Sequence, residues 1–270
     1  MKKLCAYFKI SPQGFYKQQK VVEQDAGRDH CVVQLVQAVR AWHRQMGGKK
    51  LYHRLYDKIR ALPGRLGRDK FFELLARFNL LVRRRRRYAR TTDSRHRFHI
   101  YTNLAHEFVP TAPHQLWVSD ITYVRLQKDR FAYLFLITDA FSRKIIGWEL
   151  SESLGLEGAI NALRRSIRQC PRPQGVIHHS DRGFQYCSHQ YTGMLKAKGI
   201  QISMAEAGNC YENAMAERVN GILKMEYGLE ETFADVKQAR KSAKEGIRSY
   251  NEERPHWSLN LETPASMHAA

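Results

Sequence analysis

The chain has 270 residues, of which 43% are hydrophobic and 11% aromatic, which suits one or two folded domains and excludes global disorder. No apolar run reaches the roughly 18 residues that a membrane span needs, and the first residues are too short for a signal-peptide core. We therefore expect a soluble, cytoplasmic protein with no membrane partner. The five cysteines are scattered without a Cys-x-x-Cys pair, so neither structural zinc nor a disulfide scaffold is expected.

Positive charge is concentrated in the first part of the chain. Residues 1–100 hold 25 Lys and Arg against 7 Asp and Glu, whereas residues 101–270 hold 20 against 19. This asymmetry indicates a basic amino-terminal module for a polyanion, with nucleic acid as the leading candidate, joined to a near-neutral second domain. The densest run covers every face of a helix, so it cannot form the stripe of a membrane anchor. We interpret it as a DNA phosphate contact, with a solvated linker as the alternative; it consists of Arg83, Arg84, Arg85, Arg86 and Arg87.

Residues 1–82 are predicted to be an all-helical, helix-turn-helix-like DNA-binding region. Ser11 is a good N-cap and Pro12 a good first helical residue. The same pair is typical of an ordinary capped helix, so DNA binding by this turn stays open. Residues 83–110 are interpreted as a basic linker, because most of them are polar and without periodicity. Helices of the first region are predicted over 15–19, 29–45, 51–61 and 69–78.

Residues 111–270 are predicted to be an α/β domain. Short β-rich runs predict an antiparallel meander over 116–126, 131–139 and 144–150. Further strands over 175–179 and 201–204 are predicted to alternate with helices over 157–168, 188–198, 213–226 and 233–252. A meander followed by alternating helices and strands indicates one mixed sheet flanked by helices.

Three carboxylates of this domain lie at positions that are typical of catalytic side chains. Asp120 lies inside the first strand, where a charge is costly unless something positive meets it. Asp181 follows a predicted strand, and the carboxyl ends of strands are the usual mouth of an α/β site. Glu217 lies in a predicted helix, and Lys224, seven residues later, projects from about the same face. Each acid alone also has an ordinary structural explanation, and Asp139, which ends an apolar strand, is the strongest rival among the remaining acids.

The order of these acids resembles the D-D-(35)-E signature of DDE transposases and retroviral-type integrases. Sixty residues separate the two aspartates and thirty-five separate Asp181 from Glu217. Glu212 stands where aspartate is usual, but no departure removes one of the three carboxylates. The surrounding blocks are similar, in order, to those of OrfB-type transposases of insertion-sequence family three: Trp117 to Tyr123, Asp139 to Trp148, His179 to Gly183, Gly208 to Ala214 and Tyr250 to His256.

The resemblance implies a ribonuclease H-like core with a mixed five-stranded sheet flanked by helices, preceded by the small basic helical domain. It implies that Asp120, Asp181 and Glu217 together hold two Mg²⁺ or Mn²⁺ ions, with Asp120 bridging both. Lys224 would bear on a phosphate near the scissile bond. His179 is a weaker candidate for orienting the site, and a histidine with only local hydrogen bonds is its alternative.

The implied reaction is metal-dependent cleavage of DNA at insertion-sequence ends, followed by strand transfer from the freed 3′-hydroxyl. The implied partners are double-stranded DNA of the terminal repeats and of the target, an upstream-frame OrfA product or frameshift fusion, and further copies of the chain on DNA. The expected location is the bacterial cytoplasm, at the nucleoid. Two alternatives stay open: a catalytically silent DNA-binding protein, and a nuclease of the same fold that cuts without joining.

Overall fold

A computed structural model describes residues 7, 11–82, 98–206 and 214–270. The chain divides into two compact units, within residues 1–85 and 86–270. The predictions made for the arginine run at 83–87 and for the block at 208–213 lie outside the described residues. Among the residues that are described, no helix combines the length and hydrophobicity that crossing a bilayer requires.

The amino-terminal unit contains three described helices, which pack around an aliphatic core that includes Val32, Val36 and Leu51. Ser11 caps the first helix as predicted, since its Oγ accepts the Gly14 N–H at 2.9 Å. The helices are α1 (Pro12–Trp42), α2 (Gly48–Arg60) and α3 (Arg68–Arg77).

The first helix corrects one prediction. Separate helices were expected over 15–19 and 29–45, whereas α1 is continuous for 31 residues. Arg28 is buried and forms ion pairs with Asp25 and Asp29, on either side of it in the helix. These ion pairs stabilise the helix in a polar stretch that has no apolar periodicity.

The carboxyl-terminal unit is built on a mixed sheet. Its strands are β1 (Leu116–Leu126), β2 (Phe131–Asp139), β3 (Ile145–Ser151), β4 (Ile177–Ser180), β5 (Gln201–Met204) and the two-residue β6 (Thr232–Phe233). The five longer strands lie in the order β3-β2-β1-β4-β5, with antiparallel pairing among the first three and parallel pairing of β4 to β1 and of β5 to β4. The predicted five-stranded mixed sheet is confirmed, and β6 adds a short parallel pairing at the end of β1.

Helices cover both faces of this sheet. They are α4 (Leu156–Gln169), α5 (Phe184–Cys187), α6 (His189–Ala197), α7 (Ala214–Glu226), α8 (Val236–Glu253) and α9 (Pro264–Ala269), with a 3₁₀ turn at Trp257–Leu259. Neighbouring residues of β2 enter different cores because side chains alternate across a strand: Phe135 packs with residues of α4 and α6, and Leu134 packs with residues of α7 and α8. The sheet is therefore buried on both sides, as helices on both faces require.

Part of the predicted linker packs on this unit. Phe98 and Tyr101 pack against the core that contains Phe135. The Leu104 N–H donates a hydrogen bond to Ser203 Oγ at 2.8 Å, which ties this segment to β5. Two aromatic side chains thus anchor a stretch whose polar composition gave no sign of packing.

Strand pairing leaves an opening beside the middle of β1. On the side away from β2, β4 pairs only with Leu116–Val118 and β6 only with Arg125–Leu126. In the described part of the chain no strand pairs with residues 119–124 on that side. This opening lies at Asp120, and α7 crosses close to it.

Candidate active site

Asp120 lies on the β1 face that meets α7. Val118, two residues earlier and on the same face, packs with Ala216 of α7. Each carboxylate oxygen of the partly buried Asp120 accepts one hydrogen bond: Oδ1 from the Ile121 N–H at 2.9 Å, and Oδ2 from the Asn220 side-chain amide at 2.6 Å. The carboxylate is therefore held in one orientation by its own strand and by the helix above it.

Asp181 comes beside Asp120 because their strands are parallel. Val118 of β1 is paired with His179 of β4, and each aspartate lies two residues further along its strand direction. Asp181 Oδ1 accepts the Gly183 N–H at 2.9 Å. A Cβ at Gly183 would lie 3.0 Å from that same oxygen, so a side chain there would crowd the carboxylate.

Glu217 completes the group from α7. Removal from water raises the pKa of Asp120 to about 7, with the charges of Asp181 and Glu217 adding to the increase against the opposing hydrogen bonds from Ile121 and Asn220. The structure therefore brings the three predicted acids together as one electrostatic site. Glu217 itself is exposed, so the site opens to solvent on the helix side.

Lys224 lies along the same stretch of β1. Its Nζ is 4.3 Å from the centre of the Tyr123 ring, three residues after Asp120. Glu217, Asn220 and Lys224 follow one another at intervals of three and four residues, so α7 presents an acid, an amide and a cation on one face.

Sequence reasoning missed Asn220 and Tyr123. The signal for Asn220 was its spacing, which places it one turn from both Glu217 and Lys224 in an otherwise apolar part of the helix. Within the described residues, Asn220 Oδ1 is buried without a hydrogen-bond partner. An amide oxygen beside carboxylates is a ligand that hard cations such as Mg²⁺ bind.

The donor set fits Mg²⁺ or Mn²⁺, which prefer oxygen ligands. Even so, within the described ranges no three His, Cys, Asp or Glu side chains already converge on one metal position. Burial is the main cause of the raised pKa of Asp120, and repulsion from Asp181 and Glu217 adds to it. The group is therefore close enough to interact, and a bound cation would draw its members nearer.

Two other predicted residues lie in structural contacts. His179 is buried, and its Nδ1 is 2.9 Å from Ser203 Oγ on the neighbouring strand, which favours its structural alternative. Asp139 is fully buried at the end of β2 and accepts the His114 N–H at 2.7 Å. The neighbouring His178, also buried, has its pKa lowered by burial to about 3 and stays neutral.

Comparison with known proteins identifies the class first. The integrase core domain family matches residues 110–210, and a second integrase core domain family matches residues 198–264. The chain resembles a solved simian T-cell lymphotropic virus intasome in complex with PP2A regulatory subunit B56 gamma, with a TM-score of 0.51 and 17% identity over 84% of this chain and 72% of that chain. This fold is the ribonuclease H-like integrase core.

Proteins of similar sequence identify the family within this class. The chain is 32% identical to the insertion element IS600 uncharacterized 31 kDa protein of Shigella sonnei, over 97% of this chain and 96% of that protein. It is 34% identical to the transposase for insertion sequence element IS629 of Shigella sonnei, over 82% and 75%. It is 29% identical to transposase InsF for insertion sequence IS3A of Escherichia coli K12, over 84% and 78%. The chain belongs to the integrase-core transposases of insertion-sequence family three, polynucleotidyl transferases of DNA transposition and integration, which confirms the resemblance predicted from its motifs.

Proposed function

We propose that the chain cleaves DNA at insertion-sequence ends and joins the freed 3′-hydroxyl to new DNA, with Asp120, Asp181 and Glu217 as the ligands of two Mg²⁺ or Mn²⁺ ions. The observation that carries this proposal is the grouping of three carboxylates around Asp120: the pairing of β1 with β4 brings Asp181 beside it, and α7, which binds Asp120 through Asn220, carries Glu217. Such a cluster is typical of a site that a divalent cation stabilises. When bound, the two ions activate the attacking oxygen and stabilise the leaving one.

The protein groups supply positioning and charge. Asp120 accepts one hydrogen bond on each oxygen, and its remaining lone pairs would be the ones that hold metal ions. The Gly183 N–H orients Asp181 in the same way. Lys224, whose ammonium lies over the ring of Tyr123, is the cation of α7 that would bind a phosphate of the scissile strand.

The test compares the wild type with Asp120→Asn, Asp181→Asn and Glu217→Gln. Cleavage and joining of labelled element-end DNA are measured in Mg²⁺ and in Mn²⁺, and DNA binding is measured separately. We expect each variant to lose both reactions by at least about 100-fold while binding DNA normally. Glu157→Gln, an exposed acid of α4, is the matched control and should react as the wild type does. If a variant keeps full joining activity, the carboxylate that it lacks is not a metal ligand.

Pre-cut ends separate a transposase from a nuclease of the same fold. A strand-transfer enzyme joins a pre-cut 3′ end to target DNA, whereas a nuclease yields only nicks. A catalytically silent DNA-binding protein would give neither product. The presence of all three acids at one site argues against the silent protein, and the pre-cut ends decide between the joining enzyme and the nuclease.

We also propose residues 1–82 as a DNA-binding region and 111–270 as the catalytic core, joined by a basic linker over 83–110 whose residues 98–104 pack on the core. The charge asymmetry of the chain supports a DNA contact by the arginine run 83–87, and replacing that run with serines should weaken binding and flatten its salt dependence. An upstream-frame OrfA fusion and assembly of several copies on DNA at the nucleoid belong to the same proposal. Sedimentation of the chain alone and fused, with and without terminal-repeat DNA, tests them.

A further inference from the structure

A row of four cations follows the outer face of α8. Lys237, Lys241, Lys244 and Arg248 are spaced by four, three and four residues, and we call them the cation stripe. At about 100° per residue they lie within about 60° of one another around the helix axis. All four are exposed.

The rest of α8 fixes the direction in which the cation stripe points. Ala239, Ala243 and Tyr250 lie on the opposite side of the helix and are fully buried in the core shared with the sheet and α7. Arg240, at the flank, donates hydrogen bonds to Glu149 and to the Leu150 carbonyl oxygen of β3. The helix therefore cannot rotate to bring the stripe against the protein.

The charge of the stripe is largely uncompensated. Over the described ranges, no carboxylate lies within ion-pair distance of Lys237, Lys241 or Lys244. Glu245 is four residues after Lys241 but makes no ion pair with it. Only Arg248 is paired, at 3.3 Å, with acids at the end of the helix. Because the carboxyl-terminal part of the chain carries almost equal numbers of cations and acids, this row is a local concentration of charge.

The shape of the stripe suits the backbone of duplex DNA. Eleven residues of helix span about 16 Å, and one strand of a duplex places a phosphate about every 3.4 Å along its axis. Lysine ammonium groups act as point charges for phosphates, and the stripe contains no aromatic ring on which a base could stack. The chemistry therefore favours contact with phosphates and gives no means of reading sequence.

We propose that the cation stripe is a second DNA-binding surface of the catalytic core, which holds duplex DNA by its phosphates without sequence preference. The helix packs beside α7, which carries Glu217 and Lys224, so the stripe and these residues belong to the same layer of helices on the sheet. The inference needs only that the protein binds DNA; it does not depend on the metal ligands proposed above.

The test uses the full chain with Lys237, Lys241 and Lys244 all changed to Gln, which keeps the helix propensity. Affinity for an unrelated duplex of roughly 30 base pairs is measured by fluorescence anisotropy over a range of salt concentrations. We expect affinity at low salt to fall at least about tenfold. The slope of log affinity against log salt should decrease by about 1 to 3, since each phosphate contact contributes about 0.9.

The control removes the same charge from the far edge of the sheet. Arg172, Lys196 and Lys198, all exposed, are changed to Gln together, and the slope should stay within about 0.5 of the wild type. The arginine run at 83–87 is intact in both proteins, so its contribution cancels. If the stripe variant keeps the wild-type slope, or if both variants lose affinity equally, the stripe does not bind DNA and the proposal is wrong.

Discussion

Two aspartates on neighbouring strands, Asp120 of β1 and Asp139 of β2, occupy opposite electrostatic settings. Asp139 is fully buried and accepts three hydrogen bonds, from the His114 N–H at 2.7 Å and from the N–H and hydroxyl of Ser142 at 2.8 and 2.7 Å. His268 of α9 lies 3.8 Å from the same carboxylate. Asp120 accepts two hydrogen bonds and faces two other carboxylates.

The two environments move the pKa in opposite directions. Burial raises the pKa of Asp139, but His268 and the hydrogen bonds from Ser142 and His114 outweigh burial and leave the pKa below its ordinary value. Burial and like charges leave the pKa of Asp120 raised, at about 7. Burial alone therefore does not decide whether the pKa of an acid is raised or lowered; the balance of hydrogen-bond donors against like charges does.

The largest effect on stability is expected at the ion pair between the buried Arg254 and the partly buried Glu226. Arg254, 2% exposed, donates from Nε and Nη2 to Glu226 at 2.8 and 2.7 Å, two residues beyond Lys224 on α7. Arg254→Met should lower the free energy of unfolding by about 3 to 5 kcal/mol, because it leaves a buried charge uncompensated. Urea denaturation at pH 7 measures it.

A double variant sharpens this result. Adding Glu226→Leu to Arg254→Met should recover most of the lost stability, since neither charge then remains buried alone. A loss below about 1 kcal/mol for the single variant would show that the pair is exposed in solution.

A smaller loss is expected for Asp139→Asn, about 2 kcal/mol at pH 7. The folded pKa of Asp139 lies below its unfolded value, so its contribution is present above about pH 4 and is lost as the pH falls through the folded pKa. Denaturation at pH 7 and at pH 3 should therefore show the difference between variant and wild type shrinking in acid. A constant difference would mean that the asparagine clashes and that the lost charge is not the cause.

The smallest expected change in the free energy of unfolding is a gain in stability, opposite in sign to the two losses above. Because the folded pKa of Asp120 is raised, the metal-free wild type loses stability as the pH rises from about 4 to about 7. Asp120→Asn should therefore be more stable in EDTA at pH 8 and equal to the wild type near pH 4. Because Asp120 is only partly buried, solvent screens the repulsion and the expected difference is on the order of 1 kcal/mol. Thermal unfolding measures both.

Adding Mg²⁺ at pH 8 should stabilise the wild type and not the variant. If Asp120→Asn is the less stable protein in EDTA at pH 8, the two aspartates are alike and the comparison fails.

Much of the sheet could be predicted from the sequence because local rules and tertiary structure agree there. The predicted bounds of β1 and β2 match the structure, and the turn between them contains Lys128 and Asp129, both with positive φ, as a tight hairpin requires. Helix α1 was predicted as two pieces because ion pairs, not apolar periodicity, sustain its middle.

The site was predictable only in part. Spacing indicated the three acids, and parallel pairing of β4 with β1 explains why two of them meet. Asn220 was missed because the carboxylate that it binds lies a hundred residues away. Its spacing from Glu217 and Lys224 indicates the helix face that it shares with them but not its partner Asp120. The pairing of Glu226 with Arg254 was also missed, because Arg254 lies in a block that was quoted only for its resemblance.

The pairing of Arg254 with Glu226 also bears on how the genes of insertion sequences lose function by mutation. A stop codon a few positions before 254 would leave every signature acid encoded while deleting the side chain that anchors the end of α7. A survey that looks only for the three carboxylates would count such a gene as intact, although its product had lost the side chain that supports the end of α7. The codon for Arg254 is therefore as informative about an intact product as the codons of the acids themselves.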